Sequence, residues 1–242
     1  MEAILLSHVF IRPGERDKSE IVSFTCQHFR LNNPNSYIVL AGHGELPHNL
    51  QFVDKVVWDN SIIESEIGIG HPELVNRGLD HLLEKGIENT FKMRADGIIL
   101  FPEVSKYCSD VLRREQTKIF VTQQTSWQNF WMGDLLMYSS TPFLKKCWDL
   151  QNWYPTNTGL TKVAANFHRE IGCGSYLDSL RVGASVRDLR TMKWIDLFHN
   201  WHALKPHLDD LLANNFPSWE NFVWNQGHMT DCIHEKDWYN YD

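Results

Sequence analysis

The chain has 242 residues, 43% of them hydrophobic, so it can bury a sizeable core without disulfide or metal staples. Its 23 Lys and Arg against 30 Asp and Glu leave a net charge of −7, with no long basic run, which argues against a nucleic-acid binder needing a cationic face to displace phosphate counterions. The five cysteines form no Cys-x-x-Cys pair and no stretch approaches the ~18 apolar residues of a bilayer span, so the expectation is a soluble protein with reduced, mostly buried thiols in a cytoplasm-like compartment, peripheral membrane contact staying open.

Met1 to Leu6 carries no basic segment and too short an apolar run for a signal peptide. Ala3 to Ile11 is apolar and β-branched enough for a buried strand, closed by Arg12-Pro13-Gly14. Ser19 to Arg30 follows as a helix with Ile21, Phe24, Thr25 and His28 on one face, stopped by Asn32-Asn33-Pro34. Tyr37 to Ala41 is a second strand, closed by Gly42-His43-Gly44; Val53 to Trp58 is a third, ended by Asp59-Asn60. The clearest helix has Pro72 in its first turn, Leu74, Val75, Gly78, Leu79, Leu82 and Leu83 at helical spacing, and Gly86 as C-cap. A short strand, Thr90 to Met93, leads into Arg94-Ala95-Asp96-Gly97, and Ile98 to Phe101 resumes the apolar run. Lys118 to Thr122 is another strand, while Phe143 to Leu150 and Thr161 to Leu180 read as helices. From Met192 the chain turns rich in Trp, His and Asn, with a weaker helical pattern. Strands alternating with helices, without repeat or linker, imply one α/β domain with a mainly parallel central sheet flanked by helices.

Chemistry concentrates at Phe91-Lys92-Met93-Arg94-Ala95-Asp96-Gly97. A carboxylate just after a buried strand sits at the strand's carboxyl end, where open α/β sheets bind ligands. Arg94 and Asp96 alternate with Ala95, which lets both face one side of an extended segment. A diphosphate leaving group gains negative charge as its bond breaks. An Arg or Lys offsets that charge directly, and an Asp does so by holding Mg²⁺ or Mn²⁺. The same tripeptide also suits an ordinary ion pair at a strand end.

Upstream, the helix carries Asn76-Arg77-Gly78-Leu79; downstream come Trp131-Met132-Gly133-Asp134-Leu135-Leu136-Met137-Tyr138-Ser139 and then Trp148. In order and spacing this set resembles the WavE-type lipopolysaccharide-synthesis glycosyltransferases. In that family an Asn-x-Gly-Leu-like helix precedes a Lys-x-Arg-x-Asp strand end, and a later Asp-containing apolar segment leads to a helix with a Leu-Trp-like ending. Asn76, Gly78, Lys92, Arg94, Asp96, Asp134 and Trp148 carry the match, within residues 72 to 150; Ser139-Ser140 departs from it where the family often has Gly after the aromatic. The resemblance implies a single GT-A-like, Rossmann-like domain over 1–242. Its activity would be transfer of a sugar from a nucleotide-diphospho-sugar to a glycan or lipid-linked glycan acceptor, in lipopolysaccharide or other surface polysaccharide synthesis. The setting it implies is the cytoplasm, with contact at the inner membrane open. Residues 1–100 become the nucleotide-sugar half and 101–242 the acceptor half. Lys92, Arg94 and Asp96 then face the donor diphosphate, with Mn²⁺ or Mg²⁺ on Asp96, and Arg12, Asp59 and Arg77 become nucleotide-side candidates. Each of these last three charges equally suits a solvated surface.

Asp134 lies between apolar neighbours, so its carboxylate is either buried and hydrogen-bonded or aimed into the site. An inverting transferase needs a carboxylate or His to take the acceptor hydroxyl's proton. The resemblance puts Glu170 where the family tends to have a Glu, and Asp134 and Glu170 are the catalytic candidates. His199 and His202 are three apart, on one face if the segment is helical, and with Asp196 make Asp-x-x-His-x-x-His. They are the metal-ligand candidates beside Asp96; a structural role fits them too, and His228 and His234 stand in the same position. Trp127, Trp131, Trp194, Trp201, Trp219 and Trp224 suit stacking on sugar rings or a place in the core. A sugar nucleotidyltransferase is the competing enzyme class, although the loop Ile11-Arg12-Pro13-Gly14-Glu15-Arg16 holds one Gly where such enzymes carry a Gly-rich loop. A dehydrogenase lacks its Gly-x-Gly-x-x-Gly here. A non-catalytic carbohydrate-binding module is the third reading, and the strand–helix alternation disfavours it.

Overall fold

The computed structural model describes residues 2–61, 70–126, 129–148, 184–188, 191–219 and 222. They build a seven-stranded sheet in the order β3-β2-β1-β4-β7-β6-β8. The strands are β1 (Glu2–Ile11), β2 (Tyr37–Gly44), β3 (Lys55–Trp58), β4 (Asn89–Arg94), β6 (Ile119–Ser126), β7 (Asn129–Ser140) and β8 (Ala184–Asp188). β7 runs against β4 and β6, and the other strands share one direction. A second, two-stranded antiparallel sheet joins β5 (Gly97–Ile99) to β9 (Trp194–Asp196). This is the expected mixed α/β domain with a mainly parallel sheet flanked by helices.

Burial on both faces explains the apolar strand runs. Ala3, Ile4, Leu5 and Leu6 of β1 are all fully buried, as a strand covered on two sides must be. Alternate residues feed two cores. Ile4, Leu6, Ile38, Leu40, Phe91 and Met93 pack with Ile21, Phe24 and Phe29 of α1 (Arg16–Asn32). Ala3, Leu5, Val39 and Ala41 pack with Leu74, Val75, Leu79 and Leu82 of α2 (Gly70–Glu84), and with Leu144 and Trp148 at α4 (Thr141–Cys147). The expected α1 face is buried as read. Gly86 and Ile87 close α2 by donating to the carbonyls of Leu83 (2.9 Å) and Leu82 (3.0 Å).

Three elements differ from the sequence reading. Gly42-His43-Gly44 continues β2 instead of closing it. The stretch containing Asp134 is strand β7, hairpinned on β6. A helix, α3 (Val104–Glu115), follows β5; its buried Val104, Cys108 and Val111 sit four and three apart among polar residues. The C-terminal part adds α5 (Leu197–Leu204), a 3-10 turn at Lys205–His207 and α6 (Leu208–Leu212). Trp194 and Trp201 are core residues, packed with the α1-side cluster, and so are unavailable to stack on a sugar. Cys26, Cys108 and Cys147 are buried thiols, as expected; burial pushes Cys26 up to about 12 and Cys108 well above its ordinary value. Thr161 to Leu180, Cys173, Trp127, Trp224, His228 and His234 lie outside the described residues. No helix among the described residues is long and apolar enough to cross a membrane.

His28 ties α1 to the small sheet. Its Nε2 lies 2.9 Å from the Ile99 carbonyl, and burial pushes its pKa down to about 4, against the opposing pull of the Ile99 and Leu211 carbonyls. A His with a depressed folded pKa binds its proton more readily when unfolded. Its contribution is complete above pH 6.5 and disappears as pH falls from there towards 4. At full extent this is about 3 kcal/mol, since each pKa unit corresponds to ~1.4 kcal/mol. His28→Gln keeps a donor for Ile99 and removes the titration. Urea unfolding between pH 7 and 4.5 should show the wild type losing about 2 kcal/mol more than this variant. Parallel pH curves for the two proteins would refute the burial of a neutral His28.

Candidate functional site

Because β1, β2, β3 and β4 are parallel, their carboxyl ends share one rim. Arg12, Gly44, Asp59 and Asp96 stand on it or just beyond it. The chain steps from β1 out to β2 and β3, then returns to the other side of β1 as β4. The loops leaving β1 and β4 therefore diverge, and the crevice between them is where such sheets take ligands. β1 is irregular at this point: Leu6 pairs with Leu40 and Val9 with Gly42, so Ser7 and His8 together face Ala41. A bulge of this kind re-aims a strand locally and is common beside active sites. Ser7 pairs with Arg94, and its carbonyl accepts from Ala95 N at 3.1 Å.

Arg94 and Asp96 meet at this crevice. The Arg94 guanidinium donates to the Asp96 carboxylate, with side chains 32% and 17% exposed, while Ala95 between them is fully buried. Gly97 then turns the chain against β9. A Cβ there would lie 2.7 Å from the Trp194 indole nitrogen and 2.8 Å from the Ile195 carbonyl oxygen, so only glycine lets β9 approach. That approach pairs Gly97 with Asp196 and lets Leu197 N donate to the Asp96 carbonyl at 2.9 Å. A second carboxylate is thereby brought to the Arg94–Asp96 turn. Asp196 caps α5: it accepts from His199 N at 3.0 Å and from His199 Nδ1 at 3.0 Å. Burial raises the Asp196 pKa, and the negative charge of Asp96 raises it further, against the pull of His199.

The remaining candidates separate into three places. Asp59 accepts from Arg77 and from Ser61 N (2.8 Å) and Oγ (2.6 Å); Arg77 also donates to Glu73 at 2.9 Å. The β3 end is thus clamped to α2 by an Asp59–Arg77–Glu73 chain. Arg12 is exposed, its guanidinium carbon 6.0 Å from the centroid of the Phe10 ring. Lys92, by contrast, is fully buried beneath the rim, with its ammonium 4.7 Å from the Trp148 ring centroid. Asn76 donates to the Trp148 carbonyl, and Gly78 packs on Leu5. Four of the residues that carry the family resemblance, Asn76, Gly78, Lys92 and Trp148, therefore knit α2, β1, β4 and α4 together, while Arg94 and Asp96 occupy the rim.

Asp134 lies on β7 where its pairing to β6 jumps. Val121 pairs with Met137 and Thr122 with Gly133, leaving Asp134, Leu135 and Leu136 without β6 partners. Leu136 pairs with Met93, so the Asp134 backbone is level with the carboxyl end of β4, on the Arg94 rim. His202 is exposed, 3.7 Å from Asp17 of α1, whereas His199 is held by Asp196. Among the described residues no group of three His, Cys, Asp or Glu side chains could hold a metal ion. Glu170 lies outside the described residues. In the sequence Asp196 stands out as part of a histidine spacing. An Asp just before the apolar-periodic Leu197-Phe198 is also an N-cap signal, and that signal locates its role.

No protein-family model matches the chain, and no curated protein matches it. Solved structures do. A cytidylyltransferase from Leptospira borgpetersenii serovar Hardjo-bovis aligns over 97% of this chain and 99% of its own, at 12% identity and a TM-score of 0.53. A protein from Desulfovibrio desulfuricans G20 assigned as a nucleotide-diphospho-sugar transferase aligns over 88% and 97%, at 10% identity and a TM-score of 0.48. A glycosyltransferase involved in glycosylation of the major capsid of PBCV-1 aligns over 77% and 81%, at 13% identity and a TM-score of 0.48. At such identities the likeness is one of fold, and the chain shares that fold along nearly its whole length with the cytidylyltransferase.

Proposed function

We propose that the chain is a transferase using a nucleotide-diphospho-sugar, with the donor diphosphate in the crevice between β1 and β4. The observation that carries this is the Arg94–Asp96 pair, partly exposed at the point where the strand order reverses. Arg94 is the cation that offsets charge growing on the leaving diphosphate. Arg12 and the Asp59–Arg77 pair flank the nucleotide side, and Asp134 and Glu170 serve the sugar and acceptor side. The acceptor is a glycan or lipid-linked glycan of a surface polysaccharide such as lipopolysaccharide, in the cytoplasm with peripheral membrane contact.

A divalent ion, Mn²⁺ or Mg²⁺, would add positive charge at Asp96, the carboxylate nearest Arg94. The described side chains gather no fuller donor set, so neither His199 nor His202 is counted with it, and each step here stands on protein groups. A thermal-shift titration with nucleoside diphosphates, with and without Mn²⁺ and after EDTA, tests both points. A hundredfold excess over Kd stabilises by about 2.7 kcal/mol. That is a Tm rise of roughly 5–10 °C for a domain of this size. Loss of the rise on chelation supports the ion at Asp96; an equal rise assigns the neutralisation to Arg94 and Arg12. No shift with any nucleoside diphosphate would refute the function.

A sugar nucleotidyltransferase is the second reading, supported by the fold shared with a cytidylyltransferase. It predicts stabilisation by nucleoside triphosphate and release of pyrophosphate in the presence of a sugar acid or sugar phosphate. Transfer from a nucleotide sugar without pyrophosphate release supports the first reading.

A further inference from the structure

We infer that His199 is the proton acceptor for the acceptor hydroxyl, held in its reactive form by Asp196 as a positioning residue. This rests on the transferase reading above. An ionised carboxylate only accepts hydrogen bonds. With Asp196 Oδ2 3.0 Å from His199 Nδ1, the ring proton of a neutral imidazole belongs on Nδ1, and Nε2 keeps its lone pair. Asp196 is itself immobile: its side chain is 9% exposed, its other oxygen accepts from His199 N, and its carbonyl accepts from Asn200 Nδ2 at 2.8 Å. His199 is 54% exposed, which leaves room for a substrate at the ring. It stands in the first turn of α5, whose first residue donates its N–H to the Asp96 carbonyl, next to the Arg94–Asp96 turn. A buried Asp orienting a half-exposed His beside an Arg that suits a leaving anion is an arrangement for general-base attack.

The step balances without a further reagent. The acceptor oxygen forms a bond to the donor's anomeric carbon, and its proton passes to His199 Nε2. The bond from that carbon to the diphosphate oxygen breaks, and the diphosphate leaves with the electron pair, opposite Arg94. His199 then returns the proton to solvent.

Three measurements on the full-length protein test this. Histidine ¹⁵N resonances assigned to His199 should show Nδ1 protonated and Nε2 unprotonated in the wild type, a readout that needs no substrate. In Asp196→Asn the cap can persist through the amide oxygen, but an amide N–H facing Nδ1 reverses the tautomer. The spectrum should then exchange the two nitrogens, with kcat down at least about a hundredfold and KM within about twofold. His199→Ala should lose turnover to a similar extent while nucleoside diphosphate binding, with and without Mn²⁺, stays within about twofold. An Nδ1 without its proton in the wild type, or full turnover in His199→Ala, would overturn the inference. So would Mn²⁺-dependent binding that collapses in His199→Ala, because that marks a metal ligand. Failure of the wild type to transfer sugar, with the tautomer as expected, would overturn the transferase reading while leaving the Asp196–His199 geometry standing.

Discussion

Gly44→Ala is expected to destabilise the protein by about 3 kcal/mol or more and to abolish nucleoside diphosphate binding with it. Gly44 ends β2 with a φ of +90°, in the left-handed region that a side chain disfavours. A Cβ there would overlap the Ile11 carbonyl oxygen and sit 2.9 Å from the Ile11 carbonyl carbon and amide nitrogen. All three are backbone atoms, so no rotamer relieves the clash and β1 and β2 must part. Their separation would strain the Glu45 N–H bond to the Ile11 carbonyl (2.7 Å), the Trp58 indole bond to the Gly44 carbonyl (2.9 Å) and the Gly44 N–H bond to Asn60 (2.8 Å). These bonds set the ends of β1 and β3, from which Arg12 and Asp59 project. Gly14→Ala is the control: φ is +84°, but nothing lies within 4 Å of a Cβ. It should lose only the conformational term, about 1 kcal/mol. Chemical unfolding of the two variants compares them directly. Equal losses would show that φ alone, and not the approach of β1 to β2, dictates glycine at 44.

The same glycine shows where the sequence was legible and where it was not. Gly42-His43-Gly44 reads as a turn because glycine most often marks one, yet here it serves a close approach between strands, which depends on a partner distant in sequence. The first strand was legible because burial on both faces leaves a continuous apolar run at Ala3 to Leu6. Arg94-Ala95-Asp96 was legible through strand alternation, with Ala95 turned into the core. Lys92, which the family resemblance puts toward the diphosphate, is instead fully buried between Phe91 and Met93, because β4 is covered on both faces. α3 escaped notice because Val104, Cys108 and Val111 are a thin stripe among charges, and β7 because hairpin pairing with β6 has no signature in either segment alone. Asp196 and His199 were visible as a spacing, but their nearness to Asp96 depends on β9 pairing with β5, residues about a hundred apart in the chain.

Asp96→Asn and Asp134→Asn are expected to fail in opposite ways. Asp96 anchors Arg94 and, on the proposed reading, would hold a divalent ion, so its neutral variant should bind nucleoside diphosphate about tenfold more weakly in Mn²⁺, ~1.4 kcal/mol. The sign is informative. If no cation sits there, removing a negative charge beside a diphosphate relieves repulsion, and binding should hold or tighten. Asp134 lies at the jump in β7 pairing, level with the end of β4 and on the side of β4 away from β1, which the proposed reading gives to the acceptor. Its variant should keep nucleoside diphosphate affinity within about twofold while turnover falls about a hundredfold, ~2.7 kcal/mol of transition-state stabilisation. Calorimetric titration beside a transfer assay reads both quantities, once each variant is shown to unfold within a few degrees of the wild type. A folded Asp134→Asn that loses nucleotide binding, with Asp96→Asn binding normally, would exchange the two roles. The donor diphosphate would then lie against β7, on the far side of β4 from the crevice, and Arg94 would be left to the sugar.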